Sequence, residues 1–302
     1  MKRLSHYLSL IKFSHTIFAM PFALVGFFVG LMFEQQNETS LNGWEKVKDY
    51  FIGHWMIFFH ILLCMIFARS AAMAFNRYLD RTFDAKNPRT AIREIPRGII
   101  SPAGALRFTI INSILFMASA WMINPTCFVL SPVALIVILG YSYTKRFTPL
   151  CHLILGLGLS LAPVGAFIAV TEQANLPIIL LSAAVIGWVS GFDIIYALQD
   201  DAFDISEGLH SVPGYLGRKN ALLVSRILHF STALLLIGFG YASGMHWIYY
   251  TGLIIYAAML LYQQSIVKEN DLSKVDIAFM TANGIASIVF ASFSITDLIY
   301  FG

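Results

Sequence analysis

Nine long apolar stretches occupy most of this chain. They lie at about 16–33, 51–75, 105–123, 126–143, 151–170, 177–198, 221–242, 247–265 and 276–300. Crossing the hydrocarbon core of a bilayer takes about 20 apolar residues in a helix. The stretches are continuous rather than alternating, so they read as helices and not as barrel strands. Of the 302 residues, 58% are hydrophobic and 12% are charged, against roughly 25% charged in a soluble domain. No soluble insertion or low-complexity segment interrupts the pattern. The sequence therefore predicts one all-α integral membrane domain over 1–302, a nine-helix bundle whose partner is the bilayer. The net charge of +3 is modest, and no nucleic-acid partner is expected.

Distribution of that charge predicts orientation. Lys2, Arg3 and Lys12 precede the first stretch, and Arg77, Arg81, Lys86, Arg89, Arg93 and Arg97 lie between the second and third. Lys145 and Arg146 follow the fourth, Arg218 and Lys219 the sixth, and Lys268 and Lys274 the eighth. If all nine stretches cross, these residues share one side. The opposite loops hold only Lys46 and Lys48, within an acidic segment. Basic loops stay in the cytoplasm, so the N-terminus is expected inside, in a bacterial plasma membrane, and the C-terminus outside. The opening "MKRLSHYLSLIKFSHTIFAM" has no small-residue cleavage site before its apolar run, so it is expected to be retained. Leu4, Tyr7, Leu8 and Ile11 fit an amphipathic helix at the membrane surface.

Cys64, Cys127 and Cys151 sit singly in apolar surroundings. They suggest packing, with neither a disulfide framework nor a zinc site.

Polar chemistry concentrates in two cytoplasmic loops. "NRYLDRTFDAKNPRT" spaces Asn76, Asp80 and Asp84 four apart, and "GFDIIYALQDDAFDISEGLHS" spaces Asp200 and Asp204 likewise, with Asp193 and Tyr196 before them. Residues four apart share a helical face. Carboxylates so placed repel unless cations sit between them, and hard oxygen donors suit Mg²⁺, which commonly combines one or two carboxylates with substrate phosphates. Two such pairs facing each other would clamp a diphosphate through magnesium. Ordinary ion-paired helix ends are the plain alternative. Tyr141 and Lys145 repeat the four-residue spacing, with Arg146 adjacent; Lys and Arg suit a departing diphosphate. A positive anchor with an interfacial tyrosine is the plain alternative there. Arg69 lies seven residues before Asn76, inside an apolar stretch, where a charge usually faces a polar cavity; the alternative is snorkelling.

Taken together and in order, these motifs make the chain resemble the UbiA-type intramembrane aromatic prenyltransferases over nearly its whole length. NxxxDxxxD matches Asn76, Asp80 and Asp84; DxxxD matches Asp200 and Asp204, behind Asp193 and Tyr196. YxxxK matches Tyr141 and Lys145, and the upstream arginine matches Arg69. The resemblance implies a nine-helix bundle with a polar cavity on the cytoplasmic side. It implies Mg²⁺ and prenyl diphosphate on Asn76, Asp80, Asp84, Asp200 and Asp204. Diphosphate contacts are expected from Arg69, Arg89, Lys145 and Arg146, and catalytic roles for Lys145, Tyr141 and Asp193. Two departures stand out: Arg77 where many members have Asp, and His210 where many have Lys. "ARSAAMAFNR", "DAKNPRT" and "EGLHSVP" are similar to a bacterial branch of 4-hydroxybenzoate polyprenyltransferase-like members, some of them linked to menaquinone and a dihydroxynaphthoate acceptor.

The expected reaction is transfer of a polyprenyl group from its diphosphate to the ring carbon of an aromatic acid, in respiratory quinone biosynthesis. Lys12 and His15 are candidate acceptor-site residues. A secondary transporter would carry its charges near the bilayer centre, whereas most charges here lie at one face. A soluble isoprenyl chain elongase would have amphipathic helices, whereas these are apolar nearly all round.

Overall fold

The computed structural model describes residues 6, 7, 9–11, 19–38 and 40–302. Lys2, Arg3, Leu4, Leu8, Lys12 and His15 lie outside the described residues. Among the described residues these α-helices follow one another: α1 (Ala19–Glu34), α2 (Gly43–Leu79), α3 (Arg81–Lys86), α4 (Pro102–Trp121), α5 (Pro125–Thr144), α6 (Cys151–Thr171), α7 (Leu176–Ala197), α8 (Asp201–Ser206), α9 (Val212–Ala242), α10 (Trp247–Ile266) and α11 (Asn283–Phe301). A π-helical turn, Ile277–Ala282, leads into α11. Among the described residues there is no β-strand, only an isolated bridge between Lys268 and Asp271. Among the described residues, seven helices are long and apolar enough to cross a membrane: α2, α4, α5, α6, α7, α9 and the π turn with α11. The chain is thus an all-α, multi-pass membrane bundle. The described part of α1 is short, and α10 carries Tyr249, Tyr250, Gln263 and Gln264.

Local sequence explains most of the boundaries. Ser101, Asn124, Asn175 and Ser211 each accept a hydrogen bond from the backbone N–H three residues on, at 3.1, 2.7, 3.1 and 3.3 Å. A proline follows each within the first two helical positions, where its missing N–H costs nothing. Such caps each contribute about 0.5–2 kcal/mol. Helix α2 starts earlier than the expected 51, because Asn42 and Glu45 form a reciprocal capping box. Its backbone breaks at His54 (φ −130°, ψ 19°), which separates an outer segment from the apolar span. Helix α9 also starts early, at 212 rather than 221. Gly217 there adopts φ 75°, a conformation open to glycine, so 212–216 is a separate turn.

Helix α7 is the centre of the bundle. It packs between α6 and α9, while α1 crosses α6 and α2 lies on α4. Trp188 on α7 is buried against Phe22 of α1, with ring centroids 4.9 Å apart, and Phe22 in turn meets Phe290 of α11. A helix apolar all round belongs in such a position. The crossing of α1 on α6 needs Gly26, because a Cβ there would sit 2.3 Å from the Pro163 carbonyl oxygen. Since α7 is held on every side, the residues at its end are placed by the core.

Candidate active site

The loops that follow α2, α5, α7 and α10 meet at one end of the bundle. Lys86 pairs with Glu207 at 2.5 Å, the His210 N–H donates to the Lys145 carbonyl at 2.7 Å, and Arg218 bridges Asp201 and the Glu269 carbonyl. Beneath them lies a cavity of about 300 Å³. It is lined by every residue that the sequence nominated for metal, diphosphate or chemistry: Arg69, Asn76, Asp80, Asp84, Arg89, Tyr141, Lys145, Arg146, Asp193, Asp200 and Asp204.

The aspartate motifs sit where helices break. Helix α2 ends at Leu79, Asp80 is the hinge residue, and Asp84 is on α3. Asp200 likewise stands between α7 and α8, with Asp204 on α8. Neither motif is therefore the uninterrupted helical face expected from its spacing. The four-residue relation survives because the Asp84 N–H bonds the Asp80 carbonyl at 2.7 Å and the Asp204 N–H bonds that of Asp200 at 2.8 Å.

Cations do stand between the carboxylates, and here they are side chains. Asp80 accepts from Asn76 and from Arg146, each at 3.0 Å. Asp84 accepts from Arg93 at 2.5 Å, with Arg77 4.0 Å from its other oxygen. Arg89 grips Asp200 through both arms and also donates to the Tyr196 hydroxyl at 2.8 Å. Asn87 donates to the same Asp200 at 3.0 Å. The Lys145 ammonium lies 2.7 Å from Asp204, which is fully buried. Burial pushes the Asp80 carboxyl up to about 6, against the opposing pull of Arg146. Burial acts on Asp200 in the same sense, but the Arg89 hydrogen bonds outweigh it and hold that carboxyl below its ordinary value.

Among the described residues, five carboxylates and six cations line the cavity: Asp80, Asp84, Asp193, Asp200 and Asp204 against Arg69, Arg77, Arg89, Arg93, Lys145 and Arg146. The lining is nearly neutral, so a lone metal ion meets carboxylates that are already satisfied. A metal arriving with an anion suits it better: the metal takes the oxygens, and the displaced cations turn to the anion. The donor set fits Mg²⁺. All of its carboxylate and amide donors are hard oxygens. Asp84 Oδ2 and both Asp204 oxygens are buried without a directed hydrogen bond. Among the described residues no three His, Cys, Asp or Glu side chains converge on one point.

Asn87, Arg93, His152 and Phe279 are among the lining residues that the sequence did not nominate. Asn87 and Arg93 stand in the same loop as Asp80, Asp84 and Arg89, where Arg93 counts only toward the positive charge and Asn87 falls outside the four-residue spacing. His152 Nδ1 meets Asp193 Oδ2 at 2.6 Å; a histidine beside "KRFTPL" at the start of an apolar stretch was the available signal. Phe279 stacks on Tyr196, centroids 4.2 Å apart, from a π turn that no sequence pattern announces. Of the two departures, Arg77 is buried against Asp84. His210 has an exposed side chain and is absent from the lining.

A multi-pass helical bundle with a capped, charge-paired cavity at one end defines an intramembrane enzyme acting on an anionic substrate. The UbiA prenyltransferase family model matches residues 47–285, and the chain belongs to that family. It is 32% identical over 225 residues to the 4-hydroxybenzoate octaprenyltransferase of Aeromonas salmonicida, covering 74% of this chain and 76% of that protein. The same enzyme of Aliivibrio fischeri strain MJ11 is 29% identical over 244 residues, 81% of this chain and 85% of its own. Among solved structures, a UbiA homolog from Aeropyrum pernix K1 superposes with TM-score 0.79 at 30% identity, over 94% of this chain and 98% of that one. A UbiA homolog from Archaeoglobus fulgidus bound to DMAPP and Mg²⁺ shares the fold, with TM-score 0.71 at 22% identity over 97% and 98%.

Proposed function

We propose that this protein transfers a polyprenyl group from polyprenyl diphosphate to a ring carbon of an aromatic acid of the 4-hydroxybenzoate type, with Mg²⁺, in respiratory quinone biosynthesis. The observation that carries this reading is the neutral, ion-paired cavity, which suits a metal–diphosphate complex better than either component alone. Asn76, Asp80 and Asp84 on one side and Asp200 and Asp204 on the other would hold the metal. When bound, Mg²⁺ supplies positive charge against the diphosphate as the allylic C–O bond breaks. The chain's own cations do the rest. Lys145, Arg146, Arg89 and Arg69 would border the diphosphate, and each would stabilise charge that grows as the leaving group departs. Tyr141 and the aromatic pair Tyr196 and Phe279 line the same space, where an allylic cation and an aromatic ring would meet.

A cavity of about 300 Å³ suits a diphosphate and one ring, and a long polyprenyl tail must lie outside it. The tail is best kept in lipid, since each CH₂ removed from water contributes about 0.8 kcal/mol. Purified protein supplied with a polyprenyl diphosphate should therefore prenylate 4-hydroxybenzoate. Parallel assays with 1,4-dihydroxy-2-naphthoate and 1,4-dihydroxy-6-naphthoate test the menaquinone-type acceptors. Absence of product with all three acids would refute the proposal.

The chain reads as one transmembrane unit over 1–302, in a bacterial plasma membrane. Helices α1 and α10 would join the seven apolar spans to make nine crossings, with the cavity facing the cytoplasm. Support comes from the basic loops, which gather at the cavity end. A reporter fused after Gly302 should then be external, while one inserted within 91–99 should be cytoplasmic. Both on one side would rule out nine crossings.

A further inference from the structure

Four of the five cavity carboxylates are held by a lysine or an arginine. Asp193 is the exception: among the described residues its hydrogen-bond partner is His152 alone. The ring is oriented from both sides. Its Nε2 faces the Val212 N–H at 3.3 Å, so that nitrogen is the acceptor. The proton therefore sits on Nδ1 and is donated to Asp193. The His152 side chain is only 4% exposed, while Asp193 keeps 23% of its side chain open. Contact between the helices fixes this placement. Ser190 donates to the His152 carbonyl at 3.1 Å, and a Cβ on Gly156 would lie 2.7 Å from the Ile186 carbonyl oxygen, so α6 and α7 touch where the pair forms.

Depth matters as much as partnership. Asp193 stands on α7 one turn before its end at Ala197, whereas Asp200 lies beyond that end, so Asp193 is the deeper of the two in the bundle. The diphosphate belongs at the level of Asp200 and Asp204, so the carbon it leaves, and the ring that attacks it, lie on the Asp193 side. Electron flow then requires a base at that depth. The C–O bond breaks with its pair on the diphosphate, and a ring π pair forms the new C–C bond. The proton on that ring carbon must leave to restore aromaticity. Asp193 is the cavity carboxylate that no lysine or arginine covers among the described residues, and part of its side chain stays open to the space where the ring would sit.

Resting on the prenyl-transfer reading above, we propose that Asp193 accepts the ring proton and that His152 is the positioning residue that orients it for this step. The proton passes to Asp193 and from there to water, which the part-exposed Asp193 side chain can reach.

The test uses the full-length protein and an acceptor deuterated at the ring positions ortho to the hydroxyl. His152→Leu should lower kcat at least about tenfold, within what a positioned base contributes, and leave KM for the prenyl diphosphate unchanged. Its rate should acquire a primary deuterium isotope effect that wild type lacks, because proton loss becomes limiting. His152→Gln keeps a donor for Asp193 and an acceptor for Val212, and should recover most of the rate. In an Asp193→Asn background, His152→Leu should cost nothing further. Additive losses, or a wild-type rate in His152→Leu with no isotope effect, would overturn the proposal. Should His152→Leu fail to accumulate, Asp193→Asn decides: near-normal turnover without an isotope effect also overturns it. An inactive wild type would instead count against the prenyl-transfer reading itself.

Discussion

Stripping divalent metal from this protein stops prenyl transfer, and returning Mg²⁺ restores it. The size of the effect follows from the lining of the cavity. A diphosphate brings several negative charges into a pocket whose cations are already committed to Asp80, Asp84, Asp200 and Asp204. Without a metal on those carboxylates, releasing the cations leaves buried anions facing a buried anion. Loss of a single donor to developing charge costs about 10²–10³ in rate, so removing the whole exchange should exceed 10³. The measurement is product formation by purified protein in excess chelator, then after Mg²⁺ is returned. A binding readout accompanies it. Mg²⁺ together with a non-hydrolysable diphosphate analogue should raise the melting temperature more than Mg²⁺ alone, which meets carboxylates already paired. Full turnover in chelator, or an equal shift from metal alone, would contradict the exchange.

How far the fold could be read beforehand depended on where its causes lie along the chain. Most span boundaries were legible, because Ser101, Asn124 and Asn175 cap their helices through side chains three residues away, with prolines beside them. The early starts of α2 and α9 were local too, in the Asn42–Glu45 box and at Gly217, but hydropathy does not register either one. The π turn at Ile277–Ala282 is only partly local in origin. Its carbonyls at Ala278 and Phe279 are taken by Gln263 and Asn283 side chains, and Asn283 is held in turn by the Trp188 indole. Asn283 is a near neighbour in sequence, but only tertiary packing brings Gln263 and Trp188 to it.

At the site the division is similar. Residue types and four-residue spacings were visible, and every side chain nominated for metal, diphosphate or chemistry lines the cavity. Their partners were not. Arg89 and Asp200 are separated by 111 residues, and Arg146 and Asp80 by 66. Spacing shows that two carboxylates share a face; it does not show which cation the fold will lay across them. His152 illustrates the limit, since it acquires a partner 41 residues away only when Gly156 lets α6 close on α7. Lys12 and His15, nominated for the acceptor, lie outside the described residues.

Replacing Lys145 by alanine should lower kcat about 10²–10³-fold at equal membrane abundance, the range for losing one donor to charge that develops in the transition state. KM for the prenyl diphosphate should change less, since the interaction strengthens as the C–O bond breaks. Lys145 also holds the buried Asp204 at 2.7 Å, and removing one partner of a buried pair is destabilising. The metal-free variant should therefore melt below wild type, and Mg²⁺ with a diphosphate analogue should recover much of the difference by giving Asp204 another cation. Lys145→Arg separates the two duties. It keeps a charge beside Asp204 but presents a planar fork instead of a compact ammonium. Stability should stay close to wild type while turnover falls, because the donor no longer meets the leaving oxygen in the same geometry. Were Lys145 only an interfacial anchor, the neighbouring Arg146 and the other loop cations would preserve insertion, and both variants would turn over normally. Near-wild-type kcat in alanine and arginine variants alike would assign Lys145 to that anchoring role and leave the departing diphosphate to Arg146 and Arg89.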